Sequence, residues 1–551
     1  MHKANDGVDM GDGMSGSHRT QVDAVVVGAG FSGLYLLHRL RELGLLVRVL
    51  EAAGGVGGTW YWNRYPGARC DIDSLEYGYS FSAALDEQWR WDERYATQPQ
   101  ILEYLNTVAD VYDLRRDIQF NTRVASATYD EAAARWNVRA EDGAEFSARF
   151  CVMATGCLSV PKQPDITGVE LFAGPSYFTS RWPHGGVDFT GQRVGVIGTG
   201  SSGIQSIPLI AEQADQLTVF QRTANFVVPA QNYDLDEAAH EAGALAARRA
   251  SGFKCALGLS FEPNERNMGP AMALSVRERT AEFERLWQIG GLTLMVVFAD
   301  LMVSEESNQA AADFIAGKIR ERVKDPKVAE MLTPSGFPVG AKRLCVDINY
   351  YETFNRDNVR LVDLKTTPIE QVTPTGVRTT EREIGLDALV FATGFDAMTG
   401  ALTSIDIRGR DGLTLKKAWE YGPRTYLGVS VAGFPNLFVV AAGPGSPGVL
   451  SNMRVSIEQH VDWITDCIHH VTENDIRSIE ATKRAQDDWV AHVRKVGYAT
   501  LFPRANSWYV GANVPGKPRV FMPYVGGVPH YRKTCANVAA KGYQGFELIP
   551  A

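Results

Sequence analysis

Ala24-Val25-Val26-Val27 is an unbroken apolar run rich in β-branched residues, the pattern of a short strand buried on both faces. Glycines follow at 28, 30 and 33. From Leu34 to Leu43 the apolar residues then recur with helical periodicity, before Val47-Arg48-Val49-Leu50 returns to a strand pattern. The same succession appears a second time. Arg193-Val194-Gly195-Val196-Ile197 leads into glycines at 198, 200 and 203, and Leu217-Thr218-Val219-Phe220 reads as the next strand. Two further apolar segments end alike, Val152-Met153-Ala154-Thr155-Gly156 and Val390-Phe391-Ala392-Thr393-Gly394. From about Gln231 to Thr333, Ala, Glu and Arg are abundant and glycines few, which predicts a helical insertion. Within it, the apolar stretch around Leu292 to Val303 contains Asp300 and is too short to span a bilayer, so a buried helix is expected there.

These patterns predict an α/β fold with two Rossmann-like dinucleotide-binding domains and a helical insertion. A chain of 551 residues is too long for a single core. The expected division is a disordered tail over 1–20, one nucleotide domain from 21–157 and 391–551, a second from 158–229 and 334–390, and the insertion over 230–333. The tail is rich in Gly, Asp, Ser and Met and lacks the apolar segment of a signal peptide.

Each glycine in Gly28-Ala29-Gly30-Phe31-Ser32-Gly33 has a physical task. Gly28 permits a tight turn, Gly30 lets the backbone approach a pyrophosphate, and Gly33 lets helix and strand pack closely. The pyrophosphate would rest on the helix N-terminus, where free amides and the dipole favour negative charge. The second strand ends at Glu51, placed to bind ribose hydroxyls and to repel a 2′-phosphate, so the ligand is FAD or NAD. The glycine-rich Gly54-Gly55-Val56-Gly57-Gly58-Thr59-Trp60 resembles the extended FAD signature of two-dinucleotide flavoproteins. That decides for FAD.

The second loop reads Gly198-Thr199-Gly200-Ser201-Ser202-Gly203, and its following strand ends in Gln221-Arg222-Thr223. An arginine and a hydroxyl at that edge favour NADP over NAD, although an exposed arginine after a strand is the competing reading. Two dinucleotides on one polypeptide imply electron transfer between them. The net charge of −9 argues against a nucleic-acid partner. Seven cysteines without paired spacing suggest free thiols in a reducing compartment, and no metal site is expected. A cytoplasmic protein without a membrane partner, monomeric or weakly homo-oligomeric, is the expectation.

A longer segment precedes the second loop: Phe172-Ala173-Gly174-Pro175-Ser176-Tyr177-Phe178-Thr179-Ser180-Arg181-Trp182-Pro183. It resembles the F-x-G-x-x-x-H-x-x-x-W-[P/D] fingerprint of type I Baeyer–Villiger monooxygenases, with Phe178 in place of the histidine. The resemblance covers nearly the whole chain beyond the tail and is closest to the phenylacetone monooxygenase group. It is carried by the runs Tyr61 to Asp71, Gly340 to Leu344, Tyr350 to Val359 and Ser507 to Lys517.

The resemblance implies roles residue by residue. Arg343 matches the catalytic arginine and Asp71 the acid that partners it. Lys342 matches the lysine on the 2′-phosphate, with Arg222 and Thr223 as companions. Trp508 matches the tryptophan of a mobile loop closing over the nicotinamide nucleotide; a core tryptophan is the alternative. Thr59, Trp60, Tyr77, Val124 and Met453 match positions lining FAD, and Gly58, Arg69 and Cys70 are assigned to cofactor binding with them. The implied reaction uses NADPH and dioxygen to form a flavin peroxide, which attacks a small-molecule ketone and yields an ester or lactone. A bulky, terpenoid-like ketone of secondary metabolism, antibiotic biosynthesis included, is a further expectation. The rivals are a nitrogen- or sulfur-oxygenating flavin monooxygenase and a non-catalytic flavin-binding protein. Phe178 reads either as neutral bulk in a hinge or as the mark of a sub-branch with altered domain motion.

Overall fold

The computed structural model describes residues 19–257, 269–296, 298–441 and 443–551. Most of the expected N-terminal tail lies outside the described residues. The strand Thr20–Val27 is central to an eight-stranded sheet, flanked by Val47–Leu50 on one side and Glu145–Met153 on the other, both parallel to it. Every residue from Ala24 to Val27 is buried, as an apolar run covered on both faces requires. Ile118–Gln119 extends the parallel side. Val124–Asp130, Arg135–Ala140 and Glu145–Met153 form an antiparallel meander, with Asp406–Arg408 beyond it. The late strand Leu437–Val439 returns to pair with Cys151 to Met153.

A second sheet is wholly parallel, in the order Val359–Asp363, Gln216–Gln221, Arg193–Ile197, Ala388–Phe391 and Ser176–Phe178. A three-stranded antiparallel sheet over Ile369–Gly385 stands beside it. The fingerprint segment therefore supplies an edge strand. Phe178 stacks on Phe391 with ring centroids 4.9 Å apart, and a Cβ on Gly174 would lie 2.5 Å from the Asp387 carbonyl oxygen, so only glycine fits. Trp182 is buried against Tyr177 and Phe189.

The chain passes between the two sheets twice, and the passages run side by side. Lys162 N–H donates to the Gly394 carbonyl (3.0 Å) and Asp396 N–H to that of Val160 (2.9 Å). Described residues from 237 to 332 form helices without strands, among them Val276–Ile289 and Glu305–Arg322. One expectation there is corrected. The described residues of the apolar stretch at 292–303 form a short 3-10 helix, Gly291–Met295, and turns, with Val303 exposed. Leu294, Phe298 and Leu301 still face the core, so the stretch packs as anchors on an irregular backbone. Gly290 and Gly291 both take positive φ, which ends helical continuity just before it.

Candidate functional site: two nucleotide cradles and an arginine between them

Both glycine loops adopt one backbone solution. Gly28 has φ +106° and Gly198 φ +113°. A Cβ on Gly28 would meet the Ala154 carbonyl oxygen at 2.6 Å, and one on Gly198 the Ala392 oxygen at 2.5 Å. On Gly33 and Gly203 it would meet the oxygens of Gly28 and Gly198 at 1.8 and 2.2 Å. The two Ala-Thr-Gly segments recur because each loop needs a small neighbour at this point. Helices Phe31–Glu42 and Ser201–Gln213 begin on Gly30 and Gly200 with no side-chain cap and no acidic residue in the first turn. Each leaves its terminal N–H groups and positive dipole end for an anion, so both cradles fit a pyrophosphate.

Beyond the loops the cradles diverge. Gly57 N–H donates to the Ala29 carbonyl (3.0 Å), laying Gly58 over the first loop, and a Cβ on Gly30 would be 3.3 Å from Gly58 Cα. Around Gly200 a Cβ would meet nothing within 4 Å. Glu51 is buried and accepts from the backbone N–H groups of Ala29 (2.6 Å) and Ala53 (2.7 Å). Burial raises its pKa above the ordinary value while those donors pull it back. Each oxygen keeps acceptor capacity for a ribose hydroxyl. Thr122 N–H donates to the Glu51 carbonyl (2.8 Å), setting the strand that begins at Val124 beside it. Trp60 Nε1 donates to Tyr77 Oη (3.2 Å), and Ser32 is buried in the first helical turn. Thr59 opens the four-residue helix that carries Trp60.

The edge of the second cradle is cationic. Arg222 is exposed. Lys342 lies 4.5 Å over the Phe337 ring, its pKa lowered by burial and by the charges of Arg222 and Lys365. Lys162 is likewise lowered, by burial and then Arg222. Lys162 and Lys365 escaped the sequence reading because no local motif marks either. Thr199 Oγ1 donates to the Thr223 carbonyl at 3.1 Å. Gln221 turns inward, its Nε2 donating to the Met331 carbonyl at 2.7 Å, so its side chain ties the strand end to the helical insertion.

Between the cradles, Arg343 meets Asp71 in a bidentate pair, Nε to Oδ2 at 2.6 Å and Nη2 to Oδ1 at 2.7 Å, while Nη1 donates to the Val449 carbonyl at 2.9 Å. Burial opposes the guanidinium charge, but Asp71's charge and hydrogen bonds outweigh it and hold the pKa above the ordinary arginine value. Val449 lies just before the helix Met453–Glu473, so three distant segments converge here. Tyr509, missed in the sequence reading, interacts electrostatically with Arg343, and burial pushes its phenol up to about 12. Its only sequence signal is adjacency to Trp508.

The segment after Trp60 docks on the second cradle's helix. Tyr65 Oη donates to Gln205 Oε1 (2.8 Å), and Gln205 Nε2 donates to the Arg69 carbonyl (3.0 Å). Ser201 Oγ lies 3.4 Å from Cys345 Sγ. Arg69 binds Glu93 (2.8 Å) and the Tyr95 carbonyl (2.6 Å) through its guanidinium, and Cys70 is a buried thiol next to Asp71, its pKa raised by burial. Trp508 opens a 3-10 turn and is half-buried, with Tyr509 and Val510 buried after it. That loop is fastened by Asn513 Nδ2 to the Phe395 carbonyl (2.6 Å) and by an ion pair between Lys517 and Asp396.

Two uncapped helix ends on separate sheets, with a fixed guanidinium between them, define a two-dinucleotide oxidoreductase. The pattern of the pyridine nucleotide-disulphide oxidoreductase family matches residues 25–238. A Baeyer–Villiger monooxygenase of Pseudooceanicola batsensis is 45% identical, over 95% of both chains. A phenazine N-monooxygenase of Lysobacter antibioticus is 42% identical, over 97% of this chain and 98% of its own. Among solved structures, an oxidized steroid monooxygenase bound to NADP is 51% identical, with a TM-score of 0.92 over 97% of this chain and all of its own. OTEMO in complex with FAD and NADP is 42% identical, with a TM-score of 0.91 over 96% of this chain and 99% of its own. The chain belongs to the Baeyer–Villiger monooxygenase family and is an oxidoreductase.

Among the described residues no group of His, Cys, Asp and Glu is arranged to hold a metal ion, and no helix is long and apolar enough to cross a membrane. All seven cysteines are free.

Proposed function

We propose that the chain binds FAD in the cradle of Gly28, Gly30, Gly33 and Glu51, and NADPH in that of Gly198, Gly200 and Gly203. With them it inserts one atom of dioxygen beside a ketone carbonyl, giving an ester or lactone. The first unit would comprise 21–157 and 391–551, the second 158–229 and 334–390. When bound, FAD supplies redox chemistry that no side chain can, taking electrons from the nicotinamide and activating dioxygen. The single observation that carries the reading is the Arg343–Asp71 pair where the two units meet.

The work of the chain's own residues is electrostatic. Oxygen insertion beside a carbonyl builds negative charge on oxygen, and an always-protonated planar guanidinium held on two sides needs no reorganisation to stabilise it. Asp71 fixes the plane of Arg343 and balances its charge. The Val449 carbonyl and Tyr509 restrain the other edge. Trp508 and its loop, fastened through Lys517 and Asn513, would exclude water from the site.

Labelled dioxygen with a ketone panel tests this directly. One labelled atom should enter an ester. Arg343→Ala should lower ester formation by about a hundredfold or more while NADPH still bleaches the flavin absorbance. Oxygenation at the wild-type rate in that variant overturns the role of Arg343. Amine or sulfide oxidation as the only activity overturns the ketone reading in favour of a phenazine-like N-oxygenase. We place the chain nearest the phenylacetone monooxygenase group. Phe178 we read as bulk, on its stacking against Phe391. Phe178→His with unchanged kinetics supports that, and altered domain closure refutes it.

A further inference from the structure

A cavity of about 850 Å³ lies away from both glycine loops, between the segment Asp71 to Glu76 and the helical insertion. Its walls come from residues 231–251 and 288–293 on one side and from Arg94 and Tyr95 on the other. Asp71 lines it, so the cavity ends on the carboxylate that grips Arg343. Tyr233, Asp234 and Asp236 are exposed at its mouth. The volume falls in the upper part of the range for small-molecule sites, far more than a single-ring ketone fills.

The lining has two characters. Ile72, Leu75, Leu235, Leu245, Ile289 and Leu292 supply apolar wall. The charged lining is five carboxylates (Asp71, Asp73, Glu76, Asp234 and Asp236) against two guanidiniums, those of Arg94 and Arg248. Both arginines are committed to the protein. Arg248 Nη2 donates to Asp73 at 2.9 Å, and Arg94 contacts Asp73 at 3.5 Å and donates to the Ile289 carbonyl at 2.6 Å. Arg248 also reaches Glu76 at 3.5 Å, and Asp71 is balanced by Arg343. The uncompensated charge is that of the exposed Asp234 and Asp236, and an incoming anion would meet it at the mouth without gaining a partner.

Resting on the ketone-oxygenation reading, we infer that this cavity is the substrate chamber and that it selects an uncharged multi-ring ketone. The apolar walls take the ring body, and Asp234 and Asp236 at the mouth turn away substrates bearing a carboxylate or phosphate.

The test uses the FAD-loaded full-length enzyme with three compounds: a neutral multi-ring ketone, the same skeleton with a carboxylate remote from the carbonyl, and a single-ring ketone. Binding is read by calorimetry and turnover by kcat/KM. The neutral ketone should bind at least about tenfold more tightly than its carboxylate analogue, and the gap should narrow with added salt. Ala247 lines the cavity from an exposed helical position, so Ala247→Trp narrows it without entering the core. It should lower the ratio of multi-ring to single-ring kcat/KM by about tenfold or more, with Tm and flavin content as the check on folding. Equal binding of the carboxylate analogue overturns the selectivity, and a ratio unmoved by Ala247→Trp overturns the chamber. Ala247-sensitive binding of the neutral ketone with no oxygenation of any ketone keeps the chamber and refutes the reaction assigned above.

Discussion

The two cradles share a loop and differ in everything around it. At both, a positive-φ glycine abuts the carbonyl of an Ala-Thr-Gly segment and an uncapped helix begins three residues later. Gly58 covers the first, and the buried Glu51 is fastened to two backbone amides. The second is open at Gly200 and edged by cations that repel one another, Arg222, Lys342, Lys365 and Lys162. A covered cradle suits a nucleotide that stays; an open one with pent-up positive charge suits one that carries a phosphate in and leaves. On the function proposed above, the same backbone device would serve a resident and an exchanging ligand, with the rim deciding which.

The sharpest way to break the comparison is at the loops. Gly33→Ala forces a Cβ against the Gly28 oxygen, a strain well above the ~1–3 kcal/mol of ordinary overpacking. The purified variant should lose nearly all its flavin. Gly200→Ala, with open space around it, should keep full flavin content and raise the KM for NADPH only about two- to tenfold. Equal flavin loss in both would erase the difference between covered and open.

Acid should act on the first unit through His460. This ring is buried, accepts from the Ala441 N–H (2.9 Å) and pairs with Tyr531 Oη (2.7 Å). Burial lowers its pKa from 6.5 to about 4. The unfolded chain then binds the proton first as pH falls, so stability is full above pH 6.5 and declines toward pH 4. The loss is about 3 kcal/mol at the lower limit. Thermal melts across that window, followed by flavin fluorescence, should show the decline, and His460→Asn should flatten it.

Arg222→Ala probes the open rim. Removing one phosphate partner should reduce the preference for NADPH over NADH about 10- to 100-fold without changing flavin content, as judged from kcat/KM for each nucleotide. The smallest effect concerns Lys342. Its lowered pKa means that the ammonium is lost at a pH below the ordinary lysine value of 10.5. The KM for NADPH should therefore begin to climb earlier than an unperturbed lysine would allow, by a few-fold. In Arg222→Ala the climb should start at higher pH, because a repelling charge is gone.

The nucleotide loops were readable from sequence because their constraints are local. A tight turn and the exclusion of a Cβ act within a few residues, and β-branched runs declare buried strands. Glu51 and Arg222 follow from the same short-range logic, each sitting where a strand ends. The apolar stretch at 292–303 misled for a related reason: hydrophobicity reports burial, while the two positive-φ glycines before it decide backbone shape.

What only the tertiary structure decided is long-range. Asp71 and Arg343 are 272 positions apart, and no periodicity joins them; family likeness suggested the pair, but its bidentate geometry required three segments to converge. Tyr509, Lys162 and Lys365 join their sites by packing alone, and Gln221 turns away from the rim to bind Met331. The cover of Gly58 over one loop and the open space at Gly200 are likewise invisible in two nearly identical motifs. Glycine spacing specifies how a backbone can turn; what faces that turn depends on residues the chain brings back from hundreds of positions away.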